Sequence, residues 1–361
     1  MIVVGIPTYN EADNISQLTQ QVDQAADKLG IDITIVNADS KSTDNTVNAF
    51  MDTPTKNEKV SLQNSVKGKG RNIYSILQFT ADREGVVGCM LIDGDITSFD
   101  DSWITGQMEM LKKGYDYIIP TYARNYQEGN TTNHFVYPLL GMHFNGRAPR
   151  QPIAGDFGLS VRLARHMMEQ KWHDYAYGYG IDIFLTLHAL CGGFKVTEIP
   201  LGKKLHKPSF NKMTHMFREV AASYYETAHE LLTDKAMRNI SLDQIEAPAL
   251  IQVQPLSTDA IAERRLEAMN MYVGATNLVA TMTPNPLDRV TKELWIDVLI
   301  NHEHMMGKVP SYRVAKSILP WYLMRVVTYL DDNNNAKVAS DEIRQQFSLA
   351  MRQWSYETNN N

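Results

Sequence analysis

Two apolar stretches near the start of the chain show no alternation of polar and apolar positions. "IVVGIP" (residues 2–7) and "ITIVNA" (residues 33–38) are written like strands covered on both faces. "GVVGCMLID" (residues 85–93) predicts a third strand and "YDYIIPTYA" (residues 115–123) a fourth. Between the first two, Ile15, Leu18, Val22 and Leu29 recur at helical spacing, with Asn10 as candidate cap and Gly30 as terminator. "STDNT" (residues 42–46) opens a second helix with cap-forming residues. Strand alternating with helix predicts an α/β domain built on a mostly parallel sheet.

Near residue 210 the pattern changes. "MFREVAASYYETAHELL", "AIAERRLEAMNMYVGATNLVATM", "ELWIDVLINHEHMM" and "AKSILPWYLMRVVTYL" all carry helical periodicity. "SLDQIEAPALIQVQPLSTD" (residues 241–259) reads as a linker, and the terminal asparagines as a frayed end. The division expected is an α/β domain over residues 1–225 and an all-helical domain over residues 226–361. Self-similarity at a fixed period is not found.

Composition narrows the partners. With 43% hydrophobic and 21% charged residues this is an ordinary soluble globular chain. A formal charge of -6 argues against nucleic acid as the main partner. Cys89 and Cys191 both lie in apolar runs and read as buried thiols of a reducing cytoplasm. No basic leader precedes Ile2, and no apolar run approaches the ~20 residues that span a bilayer. A cytoplasmic protein without membrane partners is expected.

In open α/β sheets ligands bind beyond the carboxyl ends of the strands. Thr8, Tyr9, Asn10 and Glu11 come after the first strand, Asp39 and Ser40 after the second, Asp93 and Asp95 after the third. Two carboxylates one residue apart can face a divalent cation such as Mg2+ or Mn2+; the same Asp-Gly-Asp can equally be a turn, with Asp95 capping the next segment. In "VKGKGRN", Lys69 between two glycines offers a point charge where backbone can approach a ligand, or forms a flexible basic surface loop. Asp156 in "AGDFG" is a cap or an active-site acid. Asp182 falls in the first turn of a helix, where the helix dipole alone would favour it. His206, flanked by Lys203, Lys204 and Lys207, is either part of a solvated basic loop or a third metal ligand completing the aspartate pair. His302 and His304, two apart on a helix, do not share a face.

Taken in order, "IPTYNEADNI", "NADSKSTDNT", "GKG" and "DGD" resemble the front half of a GT-A glycosyltransferase. "GNTTNHFVYPLLG", "RQPIAGDFG", "YGID" and "LGKKLHK" resemble the group containing glucosylglycerate, mannosylglycerate and glucosyl-3-phosphoglycerate synthases. The resemblance covers roughly residues 1–220 and continues weakly through "LPWYLMRV". It implies a Rossmann-like GT-A domain and a metal-dependent, retaining transfer of a hexose from a UDP-, GDP- or ADP-sugar to a small glycerate-like acid, giving a compatible solute.

The resemblance also assigns roles. Pro7, Thr8, Tyr9 and Glu11 would line the nucleotide pocket, Asp39 would reach base or ribose, and Lys69 would hold the nucleotide. Asp93 would touch ribose or metal, and Asp95 and His206 would ligate the cation. Ala154 and Gly155 would present backbone to the sugar, with Asp182 near the sugar or the acceptor hydroxyl. Arg124, Gly129, Asn130, Thr131 and Thr132 would contact the acceptor. Asn130 stands where enzymes using phosphorylated acceptors carry a basic residue, which favours an unphosphorylated acid. Asp156 stands where the group usually has glutamate. A glycan or lipid-carrier acceptor, and a sugar-nucleotide-binding protein without catalysis, are the competing readings. The helical half would cover the acceptor side or form a homodimer.

Overall fold

A computed structural model describes residues 1–207, 210–232, 239–252, 256–275 and 289–360. In chain order the first elements are β1 (Ile2–Thr8), α1 (Ile15–Leu29), β2 (Ile33–Asp39), α2 (Thr46–Asp52), β3 (Glu58–Gln63), α3 (Lys69–Asp82), β4 (Gly88–Leu91), α4 (Asp101–Lys112) and β5 (Tyr117–Ala123). Then come α5 (Tyr137–His143), β6 (Gly158–Ser160), α6 (Val161–Glu169), α7 (Ile181–Cys191), β7 (Val196–Lys203), α8 (Met213–Leu231), β8 (Leu242–Asp243), α9 (Thr258–Ala275), α10 (Lys292–Glu303), α11 (Ser311–Asp332) and α12 (Ala336–Asn360).

The chain divides into two compact units, each drawn from separate stretches. One comprises Met1–Tyr122, Ile153–Ser209 and Ser241–Pro248; the other comprises Ala123–Pro152, Phe210–Ile240 and Ala249–Asn361.

The first unit is built on an eight-stranded sheet of order β3-β2-β1-β4-β6-β5-β7-β8. β1 pairs in parallel with β2 and β4, and β2 with β3. Every residue of β1 and β2 is buried, as their unalternating sequences require. α3 packs with α6 and α7, and α1 with α2 and α4, giving a helix layer on each face. β6 runs antiparallel between β4 and β5, in a register that sets Met90 opposite Gly158 and carries residues 154–157 past the end of β4.

Several local expectations change. Asn10 does not cap α1; it adopts a left-handed conformation, φ 58°, and its Oδ1 accepts from Thr43 N–H at 2.8 Å. α1 ends on Gly30 at φ 62° as the pattern predicts. Asp100, not Asp95, caps the next helix, accepting from Ser102 N–H at 2.8 Å. Cys89 is buried as expected, whereas Cys191, the last residue of α7, is only partly buried because the helix ends there near the surface.

In the second unit the described elements from Phe210 onward are helical; Leu242–Asp243, within the expected linker, belongs instead to the sheet of the first unit. α11 carries a buried polar network. Arg325, fully buried, donates from Nε to Gln346 at 3.0 Å and from a terminal nitrogen to Glu342 at 2.6 Å. The terminal asparagines, expected to fray, continue α12 as far as Asn360. Residues 276–282 of the predicted second helical run lie outside the described residues. Among the described residues no helix is long and apolar enough to cross a membrane.

Candidate active site

The carboxyl ends of β1, β2 and β4 are laced together. Asp39, buried at the end of β2, accepts from Thr8 Oγ1 at 2.9 Å, from Ser42 Oγ at 2.6 Å and from Ser42 N–H at 2.8 Å. Asn72 on α3 donates to Thr8 O at 3.0 Å, and Ser40 Oγ donates to Gly68 O at 3.0 Å. Pro7 and Thr8 are therefore fixed and buried, while Tyr9 remains exposed with Lys67 Nζ 3.7 Å from its ring centroid.

The Asp93–Asp95 turn is pinned from both sides. Asn14 Nδ2 donates to Gly94 O at 2.8 Å and to Ile96 O at 2.9 Å. A side chain at Gly94 would lie 2.9 Å from Pro7 O, so the middle residue of Asp-Gly-Asp is glycine because β1 passes beside it.

The two glycines around Lys69 serve a purpose different from the one expected. A Cβ on Gly70 would lie 1.8 Å from Ala176 O, and one on Gly68 2.3 Å from Tyr177 O. Gly70 N–H donates to Gly178 O at 3.1 Å. These positions admit the backbone of residues 176–178, the segment leading into α7. That packing sets Lys69, the first residue of α3, against Asp182 in the first turn of α7.

At the centre, three aspartates meet two lysines, with Asp95 within electrostatic reach. Lys69 Nζ lies 2.9 Å from Asp93 Oδ1 and 3.5 Å from Asp182 Oδ1. Lys204, from the end of β7, reaches Asp93 Oδ2 at 3.2 Å and Ala154 O at 2.8 Å, and forms a short contact with Asp156 Oδ2. Asp156, fully buried, also accepts from Tyr122 Oη at 3.0 Å and from Asp93 N–H at 2.8 Å. Gly155, at φ 94°, runs so close that a Cβ would sit 2.6 Å from Asp93 Oδ2. Ala154 and Gly155 thus present backbone at the charged centre.

Burial opposes the charge on Asp93, but Lys69 and Lys204 outweigh it and hold the carboxyl well below its usual range. Burial likewise opposes the Lys69 ammonium, and Asp182 and Asp93 overcome it and raise its pKa. Asp182 is pushed up by burial, against Lys69, and its Oδ1 has no hydrogen bond. Asp95 is pushed up by burial and by Asp93, and drawn down by His206, which is within electrostatic reach.

His206 is placed by its neighbours. Leu205 O accepts from Thr97 N–H at 3.0 Å, Leu205 N–H donates to Ser98 Oγ at 2.9 Å, and Lys207 Nζ binds Glu11 at 2.7 Å and Asp13 at 2.9 Å. Burial raises the Glu11 pKa, an effect Lys207 opposes. His206 Nδ1 donates to Lys207 O at 2.7 Å, a tautomer that leaves the Nε2 lone pair outward. Among the described residues, three acidic or imidazole groups do not converge at ligand distances, because the lysines hold Asp93. The donor set nevertheless suits a divalent cation. Asp95 takes part in no ion pair or hydrogen bond among the described residues, and the four acids exceed the two lysines by two charges.

Residues 3–169, from β1 through α6, match the profile described as glycosyl transferase family 2. No curated protein matches the chain. Among solved structures it is similar to glucosyl-3-phosphoglycerate synthase from Mycobacterium tuberculosis in complex with Mg2+ and UDP, with TM-score 0.52, 21% identity, and coverage of 63% of this chain and 79% of that one. The complex of that enzyme with Mn2+, UDP-glucose and phosphoglyceric acid gives TM-score 0.51 and 21% identity over 63% and 80%. These likenesses show the fold, GT-A, as the motifs imply.

The remaining expected residues lie in the second unit. Arg124 Nε donates to Gln151 at 2.8 Å, and its side chain runs beside Gly129, which has φ 69°. Asn130 donates to Gln127 O at 2.9 Å while its Oδ1 is buried without a hydrogen bond. Thr131 Oγ1 pairs with Tyr322 Oη at 2.8 Å, and Thr132 is buried at the start of a π-helical turn. Lys204 carries no signal of its own in the sequence, where it reads as one of the lysines flanking His206. Lys203 is exposed as a basic loop predicts and Lys207 is partly exposed, whereas Lys204 is 5% exposed at the side chain.

Proposed function

We propose that this protein is a metal-dependent, retaining hexosyltransferase that moves glucose or mannose from a nucleotide diphosphate sugar to glycerate or a similar small acid. The observation that carries the reading is the acidic centre around Lys69 at the carboxyl ends of β1 and β4, where Asp93 and Asp156 from the segment matching the family 2 profile meet Asp182 from beyond it. The similar solved structures, bound to UDP-glucose, Mn2+ and phosphoglyceric acid, support this choice of donor, cation and acceptor class. In this reading catalysis belongs to residues 1–225, residues 226–361 form the helical domain, and the protein acts as a cytoplasmic homodimer.

Asp93, Asp95 and His206 would hold Mg2+ or Mn2+, which neutralises the departing diphosphate. Thr8 and Asp39 fix the nucleotide end, with Tyr9 and Glu11 along its wall. Lys69, held between Asp93 and Asp182, places a permanent ammonium where negative charge develops. Asp182 positions Lys69 and faces the sugar. The bond from the anomeric carbon to the diphosphate oxygen breaks as a bond to the acceptor hydroxyl forms on the same face. The hydroxyl proton passes to the leaving diphosphate, so no separate base is needed. Arg124 pairs with the acceptor carboxylate, supported by Gly129, Asn130, Thr131 and Thr132.

Purified protein incubated with UDP-, GDP- and ADP-hexoses, Mn2+ and either glycerate or 3-phosphoglycerate tests this. Mass spectrometry should show a hexosyl acid, lost on chelation, with the donor's anomeric configuration by NMR. Consumption of no donor would sink the assignment, and preference for 3-phosphoglycerate would replace the acceptor.

A further inference from the structure

Lys204 is the one lysine of its cluster turned inward, and its ammonium has three acceptors for three protons. These are Asp93 Oδ2, Ala154 O and Asp156 Oδ2. Asp156 is anchored independently by Tyr122 Oη and Asp93 N–H. The lysine is therefore saturated within the protein and has no proton left for a phosphate. The next residue, Leu205, is clamped to Thr97 and Ser98, so the same short segment that ties Asp93 also carries His206 past Asp95.

We propose that Lys204 is a positioning residue: anchored on Asp156, it occupies Asp93 Oδ2 and so sets how readily this carboxylate ligates the cation. The inference rests on the metal-dependent reading above. Lys69 already takes Asp93 Oδ1, so both oxygens of this carboxylate are claimed by ammonium groups. A cation must displace a charge-assisted hydrogen bond to use either one. The Lys204–Asp156 pair is itself neutral, which separates its local hold on Asp93 from the overall charge of the site.

The test is a Mn2+ titration read by electron paramagnetic resonance, on wild type and on the double variant Lys204→Met/Asp156→Asn. The double change leaves no buried charge unpaired, and the asparagine can still accept from Asp93 N–H. It should bind Mn2+ about tenfold more tightly, the scale of one charge-assisted hydrogen bond no longer opposed. Lys204→Arg, which keeps the hold, should stay within about threefold of wild type. Lys204→Gln/Asp156→Asn, which also leaves the overall charge of the site unchanged, gives the same comparison should the first double variant not fold. Asp95→Asn identifies the site by abolishing the high-affinity signal. Unchanged or weaker Mn2+ affinity in folded Lys204→Met/Asp156→Asn or Lys204→Gln/Asp156→Asn overturns the positioning role alone. Absence of Mn2+ binding by wild type, with or without UDP, overturns the metal reading and this inference together.

Discussion

Replacing Gly70 by alanine tests how Lys69 is delivered to the centre. The added carbon would lie 1.8 Å from Ala176 O, backbone that cannot rotate away. Restoring contact moves α3 and the 176–178 segment apart by roughly 1 Å or more, which strains the packing by about 1–3 kcal/mol. It also stretches the Gly70 N–H to Gly178 O bond, a further ~1 kcal/mol. The sum corresponds to a fall in Tm of about 10 °C for a unit of this size. Lys69 adjoins Gly70, so the same displacement opens its 3.5 Å approach to Asp182. Misplacement on that scale lowers kcat by up to ~100-fold. Gly30→Ala is the control: it sits at φ 62° with nothing within 4 Å, so it carries only the left-handed backbone penalty, ~1 kcal/mol, with kcat unchanged. Calorimetry and donor-consumption assays on both variants decide the matter. A Gly70→Ala protein with wild-type melting and turnover would refute the account of the two glycines.

Lys69→Met should lower kcat by at least about 100-fold while leaving Asp182 close to a neutral neighbour, measured by transfer assays. Arg325→Met, which leaves Glu342 only Lys292 at 3.5 Å as a cationic partner, should cost about 3 kcal/mol in urea unfolding, and Arg325→Met/Glu342→Gln should recover part of it. Burial, with His166 and His173 nearby, lowers the His188 pKa from 6.5 to about 4. The unfolded chain then binds a proton that the folded one refuses between those values, so stability falls as pH drops from 6.5 towards 4. His188→Gln should remove up to about 3 kcal/mol of that pH dependence, read from denaturant midpoints at about pH 7 and about pH 4.5.

β1, β2 and the Asp93 turn were legible because burial on both faces leaves an unbroken apolar signature ending in charge. β3 was not: as an edge strand it is half exposed, and its Glu58 and Lys59 are absorbed by Arg83 and by the carbonyls of Phe50 and Met51. The Gly-Lys-Gly stretch was visible as chemistry, but the backbone that approaches its glycines comes from about a hundred residues away. Lys203, Lys204 and Lys207 look alike in sequence; only the tertiary placement of Asp156 decides which of them is buried. β6, three residues long, is too short for any periodicity to declare it.

That three-residue strand has a consequence for how the gene tolerates change. Residues 154–157 look like an ordinary surface connection, the kind that accepts extra residues freely. They lead into Gly158–Ser160, held in antiparallel register beside β4, so one inserted codon would slide Asp156 off Asp93 and Lys204. A scan of single-codon insertions should pass at the open turns around Gly85 and Gly114 and leave a gap in survivors at 154–157.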